Sequence, residues 1–87
     1  MKVYDIIIEP ETRMSDMYLE NLTKKIRDNL FIVAYPYTTL LSPSDEKTTK
    51  RISIKNIREN AVPDLLMFLD NIAWKGYKVI HIEDLTL

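Results

Sequence analysis

The sequence predicts a single α+β domain whose elements follow the order β-α-β-β-α-β. Three observations indicate this order. Apolar residues alternate with a period of two near both ends of the chain, which is typical of strands. Two further segments carry apolar residues at helical spacing, and the long stretch between them reads as two strands around a turn. With 87 residues the chain is long enough for one hydrophobic core, so we treat residues 1–87 as one domain.

The first strand is expected over Val3–Ile8, because apolar side chains alternate there. Tyr4, Ile6 and Ile8 fall on one face, which we assign to the core. Pro10 and the charged residues around it end the strand. The residues on the opposite face are Val3, Asp5 and Ile7.

The first helix is expected over Asp16–Asp28, with Asn29 at its C-terminal end. Ser15 is a favourable N-cap residue, and the negative charge of Asp16 suits the first turn of a helix. The apolar residues at helical spacing are Leu19, Leu22 and Ile26.

A long β-hairpin is expected next, with arms over Phe31–Leu41 and Lys47–Ile57 and a turn at Ser42–Glu46. Each eleven-residue arm would span about 36 Å at about 3.3 Å per residue, whereas the six-residue outer strands would span about 20 Å. The hairpin should therefore extend beyond the sheet and expose Leu40 and Leu41. Either a second copy or another protein covers them, or the strands are shorter and both leucines pack against a helix end.

The second helix is expected to begin near Ala61 or Val62, with Pro63 in its first turn, where an amide proton has no helical acceptor. Gly76, the only glycine, suits the left-handed position that follows a helix, and the last strand is expected over Tyr77–Ile82. The expected buried stripe of the helix consists of Leu65, Leu66, Leu69, Ile72 and Ala73.

This order of elements predicts a ferredoxin-like sandwich, in which a four-stranded antiparallel sheet of order 4-1-3-2 has both helices on one face. Pro36 agrees with this arrangement. Proline cannot donate a hydrogen bond to a neighbouring strand, so it belongs in an edge strand, and this topology places the second strand at an edge.

The hairpin register decides which side chains reach the open face of the sheet, the face without helices. A one-residue slip or a bulge would instead turn Phe31, Val33 and Tyr35 towards the core, so the sequence leaves both registers open. With the turn centred on Ser44, the open-face pairs are Tyr37 with Arg51, Tyr35 with Ser53, and Val33 with Lys55.

An apolar patch is expected on the open face, made by Val3 and Ile7 of the first strand and Tyr77 and Val79 of the last. His81 shares this face, while Ile80 and Ile82 are expected to point inward. A contiguous exposed patch marks a partner site. The alternative is a partly solvated sheet with scattered apolar residues, which is common.

The sequence offers little for catalysis. There is no cysteine, one glycine cannot build a phosphate-binding loop, and His81 with Glu83 would supply only two metal ligands. We therefore expect no enzymatic activity, no metal and no cofactor. An enzyme of an unrecognised type would have its pocket around Asp5 or His81.

The net charge of −1 does not indicate a non-specific nucleic-acid binder, which usually carries a clear positive excess. No apolar run approaches the roughly 18 residues that a membrane helix requires, and the N-terminus lacks the features of a signal peptide. A cytoplasmic location is therefore expected.

These observations together predict a small protein-binding module that acts by protein–protein contact and self-associates as a homodimer or binds a different protein. The bias towards isoleucine and lysine over glycine and alanine suggests AT-rich coding and hence a phage or virus protein that inhibits a host defence factor. The alternative is a nucleic-acid-binding domain that uses hairpin tyrosines and cations. The cations considered for that alternative are Lys47, Lys50 and Arg51. The predicted partner-binding residues are Val3, Ile7, Tyr35, Tyr37, Leu40, Leu41, Arg51, Tyr77, Val79 and His81.

Overall fold

A computed structural model describes residues 2–10, 15–42, 47–71 and 77–86, with the side chains at 40–42, 47 and 48 outside that description. The elements within these ranges follow the predicted order. They are β1 (Val3–Pro10), α1 (Asp16–Leu30), β2 (Val33–Ser42), β3 (Lys47–Arg58), a 3₁₀ turn (Glu59–Ala61), α2 (Val62–Asn71) and β4 (Tyr77–Asp84).

The four strands form one sheet in which every neighbouring pair is antiparallel, and two helices accompany it, as predicted for the α+β class. The strand order is β2-β3-β1-β4, so β1 and β3 are central and β2 and β4 are the edges. Counted from the opposite edge, the same neighbours read 4-1-3-2. None of the helices in the described ranges is both long and apolar enough to cross a membrane.

The hydrophobic core lies between the helices and one face of the sheet, and both helices contribute to it. Ile6 and Ile8 of β1 are buried as the alternation predicted. Thr23 is a buried polar residue of α1, and its hydroxyl donates a hydrogen bond of 2.7 Å to the carbonyl of Leu19, which satisfies it. The other buried apolar residues are Leu19, Leu22, Ile26, Ala34, Ile52, Ile54, Ile57, Leu65 and Leu69.

The predicted N-cap of α1 is confirmed, because the hydroxyl of Ser15 accepts a hydrogen bond of 3.2 Å from the amide of Tyr18. The predicted end at Asn29 is wrong. The side chain of Asn29 donates to the carbonyl of Lys25 within the helix, which continues to Leu30. Phe31 follows as the left-handed cap at φ 54° and is not the first residue of β2.

Replacing Phe31 with glycine is expected to raise the free energy of unfolding by about 0.5–1 kcal/mol, because a side chain with a Cβ is strained at this left-handed position. The ring of Phe31 is 91% exposed, so its removal forfeits little buried area. Urea unfolding followed by circular dichroism measures the change. Phe31→Ala keeps the Cβ and should give no gain; equal stability of the two variants would contradict this interpretation.

Of the two registers that the sequence left open, the hairpin has the one that places Tyr37 opposite Arg51, and not the slipped alternative. Ile52 and Ile54 are buried between the sheet and the helices, and this fixes which residues of β2 face the solvent. The observed pairs include Tyr37 with Arg51, Tyr35 with Ser53, and Val33 with Lys55.

The pairing of β2 with β3 continues to Ser42 and Lys47, beyond Ile8↔Ile52, the last pair between β1 and β3. Lys50, which lies in this extension, forms a salt bridge with Asp16 at the start of α1, with 2.8 Å between Nζ and Oδ1. The predicted exposure of Leu40 and Leu41 lies outside the described residues, because their side chains are not part of the description.

Helix α2 starts at Val62 and has Pro63 in its first turn, as predicted. Leu65 and Leu69 are fully buried, whereas Leu66 is half-buried. The predictions for Ile72, Ala73 and Gly76 fall outside the described residues.

Candidate functional site at the fourth strand

A β-bulge in β4 determines where its side chains point. His81 pairs with Ile7, but Val79 pairs with Ile8, so Ile80 is one extra residue in β4. Directly opposed residues of antiparallel strands have side chains on the same face. Val79 therefore lies on the core side with Ile8.

The bulge overturns part of the predicted partner site. Tyr77 is opposite Pro10 and packs against the core cluster, so the prediction that Tyr77 and Val79 lie on the open face is wrong. The expected contiguous patch with Val3 and Ile7 is consequently not formed. His81 is exposed opposite Ile7, on the open face as predicted.

Ion pairs between β1 and β3 occupy much of the open face. Asp5 Oδ2 lies 3.2 Å from Lys55 Nζ, and Glu9 Oε2 lies 3.3 Å from Arg51 Nε. These pairs lie on either side of Ile7, which is opposite Ser53. The centre of the open face is therefore charged, with Ile7 between the two ion pairs.

Asp5 also stabilises an irregularity in the β1–β3 pairing. Its Oδ1 accepts a hydrogen bond of 3.0 Å from the amide of Asn56, which has φ 56°. The register between β1 and β3 shifts at this point, between Tyr4 and Ile6. The hydrogen bond from Lys55 to Asp5 raises the pKa of Lys55 above its ordinary value, against a smaller opposing effect of burial.

Two tyrosines extend the open face onto β2. Tyr35 and Tyr37 have ring centroids 6.4 Å apart in a tilted arrangement, and Tyr35 is 44% exposed. Six predicted partner residues therefore share this face. They are Val3, Ile7, Tyr35, Tyr37, Arg51 and His81.

The helix side of β4 is apolar and poorly covered. Ile82 is opposite the buried Ile6, on the predicted side, yet 57% of it is exposed. Val79 and Ile80 are 39% and 36% exposed. Ile82 also lines a groove of about 340 Å³ whose lining is almost wholly apolar. The lining residues are Tyr4, Ile6, Glu59, Val62, Pro63 and Ile82.

The two edges of the sheet differ in their ability to accept another strand. In β2, Pro36 has no amide proton, and the carbonyl of Ala34 accepts a hydrogen bond of 3.3 Å from Arg27 of α1. β4 contains no proline and has only β1 as a neighbour among the described strands. The outer edge of β4 is therefore the better template for pairing.

The C-terminal end of β4 is fastened to the start of β1. The amide of Leu85 donates to the carbonyl of Val3 at 2.8 Å, and the hydroxyl of Thr86 accepts from the amide of Val3 at 3.2 Å. Asp84 in turn accepts from the amide of Thr86 at 2.9 Å, and this hydrogen bond lowers the pKa of Asp84. These contacts hold the end of the edge strand in place.

Neither a scan against models of known protein families nor a search of curated protein sequences returned a match. The shape and chemistry of the surface are therefore the basis for assigning a function.

Asp5 and His81, around which an enzymatic pocket was considered, both lie on the open face. Asp5 is engaged by Lys55 and Asn56, and His81 is exposed beside an aliphatic residue. In the part of the chain that the structure describes, no three His, Asp or Glu side chains are placed to hold a metal ion. The arrangement that stands out chemically is the apolar edge formed by Val79, Ile80 and Ile82.

Proposed function

We propose that this chain is a non-enzymatic protein-binding module that binds its partner through the outer edge of β4. The observation that carries the proposal is the exposure of Val79, Ile80 and Ile82 on an edge strand that has only β1 as a neighbour among the described strands, with Ile82 lining an apolar groove. An extended segment of another chain would pair with the main chain of β4 and place alternate side chains in the groove, as in other cases of strand addition.

The scaffold of this module is proposed to be the ferredoxin-like sandwich. The order β-α-β-β-α-β and a core shared by both helices and the sheet support this assignment. In such a scaffold the helices leave the outer edge of the last strand accessible, which agrees with the position of the proposed site.

We extend the proposal to the origin of the chain and the identity of its partner. One glycine and three alanines stand against eleven isoleucines and eight lysines, the bias that AT-rich coding produces in small viral genes. A phage or virus protein of this size would act in the host cytoplasm by blocking a host protein, for example an effector of CRISPR defence.

Nucleic-acid binding through the hairpin is the weaker candidate. Tyr35 and Tyr37 would allow base stacking. The cations beside them are already paired within the chain, however, because Arg51 contacts Glu9 and Lys50 contacts Asp16. Phosphate would have to displace these carboxylates. Steep loss of affinity with rising salt in a gel-shift screen would favour this candidate over protein binding.

The proposal is tested by affinity capture from lysates of candidate hosts with wild-type and variant chains. Ile82→Glu places a charge on the exposed apolar edge and should abolish enrichment of the partner, as judged by mass spectrometry. Tyr35→Ala removes an exposed side chain from the opposite face and serves as the matched control, with enrichment expected to persist. Loss of the partner in the control alone would move the site to the open face. Absence of any enriched protein from all lysates would count against a host partner.

A further inference from the structure

We infer that the β4 edge pairs with the β4 edge of a second copy of this chain, giving a two-fold dimer with one continuous eight-stranded sheet. This inference rests on the binding surface proposed above and names its occupant. The two strands would run antiparallel, with His81 of one copy opposite His81 of the other.

The bulge makes this pairing consistent on both faces of the sheet. Starting from His81 at the two-fold axis, Ile82 falls opposite Val79 and Ile80 of the second copy, where two residues oppose one. These aliphatic residues lie at the apolar edge of β4. The next residue, Glu83, then falls opposite Lys78 of the second copy.

The side chains of Glu83 and Lys78 lie on the same face, as a cross-strand pair requires. Glu83 is opposite Asp5 and Lys78 is opposite Glu9 in the pairing with β1, and both positions belong to the open face. Without the extra residue, Lys78 would fall opposite Asp84, whose partner Tyr4 lies on the other face.

Charge complementarity favours a second copy over an unrelated segment. Within one chain the carboxylate of Glu83 is opposite that of Asp5, and Asp5 is already paired with Lys55. Glu83 makes no ion pair with the other described residues. Lys78 of a second copy would place a cation opposite Glu83, and the two-fold symmetry provides this pair twice.

The other edge of the sheet does not provide an equivalent surface. Pro36 leaves a gap in the row of amide donors along β2, and Arg27 already donates a hydrogen bond to the carbonyl of Ala34. Dimerisation through β4 thus explains why the β2 edge is protected against pairing, while the outer edge of β4 is apolar and not covered by any other described strand.

Charge reversal tests the inference. Sedimentation equilibrium over a concentration series should show a monomer–dimer equilibrium for the wild-type chain. Lys78→Glu or Glu83→Lys alone places like charges opposite each other in both symmetric pairs, so each should raise the dimer Kd at least about tenfold. The double variant K78E/E83K exchanges the two charges and should restore the Kd to within about threefold of wild type.

Lys24→Glu is the control for the change in net charge that Lys78→Glu causes, since Lys24 is exposed on α1 and takes no part in the proposed strand pairing. Circular dichroism verifies that each variant is folded. A wild-type chain that stays monomeric at submillimolar concentration would overturn the dimer. It would leave the proposed function standing if Ile82→Glu still abolished capture of a host protein. If Lys78→Glu raises the dimer Kd no more than Lys24→Glu does, the dimer forms through another surface.

Discussion

Replacing Ile54 with alanine is expected to lower the free energy of unfolding by about 2–5 kcal/mol. Ile54 is fully buried in the middle of β3, where it is opposite Ile6 on one side and Ala34 on the other. The substitution leaves a cavity at the centre of the sheet, beside Ile6 and Ala34, that these neighbours do not fill. The loss is a large part of the roughly 5–15 kcal/mol that stabilises a domain.

Ile82→Ala is the matched control, because Ile82 is also opposite Ile6 but is 57% exposed. Its substitution should cost less than about 1 kcal/mol, since little apolar area leaves the core. Urea unfolding at a protein concentration too low for self-association compares the two variants. Equal losses would mean that Ile82 is buried in solution, and would remove the main support for a binding site at β4.

The buried face of β3 could be predicted, because Ile52 and Ile54 alternate with polar residues. The sequence left the register of β2 open, since either Ala34 or the bulkier Val33 and Tyr35 could have shared that face, and the structure places Ala34 there. The N-cap at Ser15 could also be predicted, because it depends on a contact within one helical turn.

The faces of β4 could not be predicted in the same way. Val79, Ile80 and Ile82 are all apolar, so the pattern does not show which alternate residues of β4 face the core. No glycine or proline marks the bulge. Counting with a period of two from Ile82 therefore assigned Tyr77 and Val79 to the wrong face. The extra residue becomes apparent only when β4 is paired with β1.

The open-face ion pairs did leave a signal in the sequence. Asp5 and Glu9 are four residues apart on one face of β1, and Arg51 and Lys55 are four apart on one face of β3. Antiparallel strands bring such sets into register with opposite charges facing each other. This spacing predicts a salt-bridged face, whereas considering β1 alone emphasised Val3 and Ile7.

The second large effect is expected from Asp5→Ala, which should lower the free energy of unfolding by about 1–3 kcal/mol. Asp5 is 15% exposed and accepts hydrogen bonds from the amide of Asn56 at 3.0 Å and from Lys55 at 3.2 Å. The substitution leaves the amide at the β1–β3 irregularity without its acceptor. Hydrogen exchange of the Asn56 amide should accelerate along with the loss of stability.

Two further variants separate the possible causes of that loss. Asp5→Asn retains an oxygen that can accept from Asn56 but removes the charge that raises the pKa of Lys55, so it should be less destabilising than alanine. Asp28→Ala removes an exposed partner of Lys24 and should cost at most about 0.5 kcal/mol. If Asp5→Ala costs no more than Asp28→Ala, Asp5 does not support the sheet. A gain in stability from Asp5→Asn would instead indicate a carboxylate retained for chemistry, which would revive the enzymatic alternative, because active-site charges commonly persist at the expense of stability.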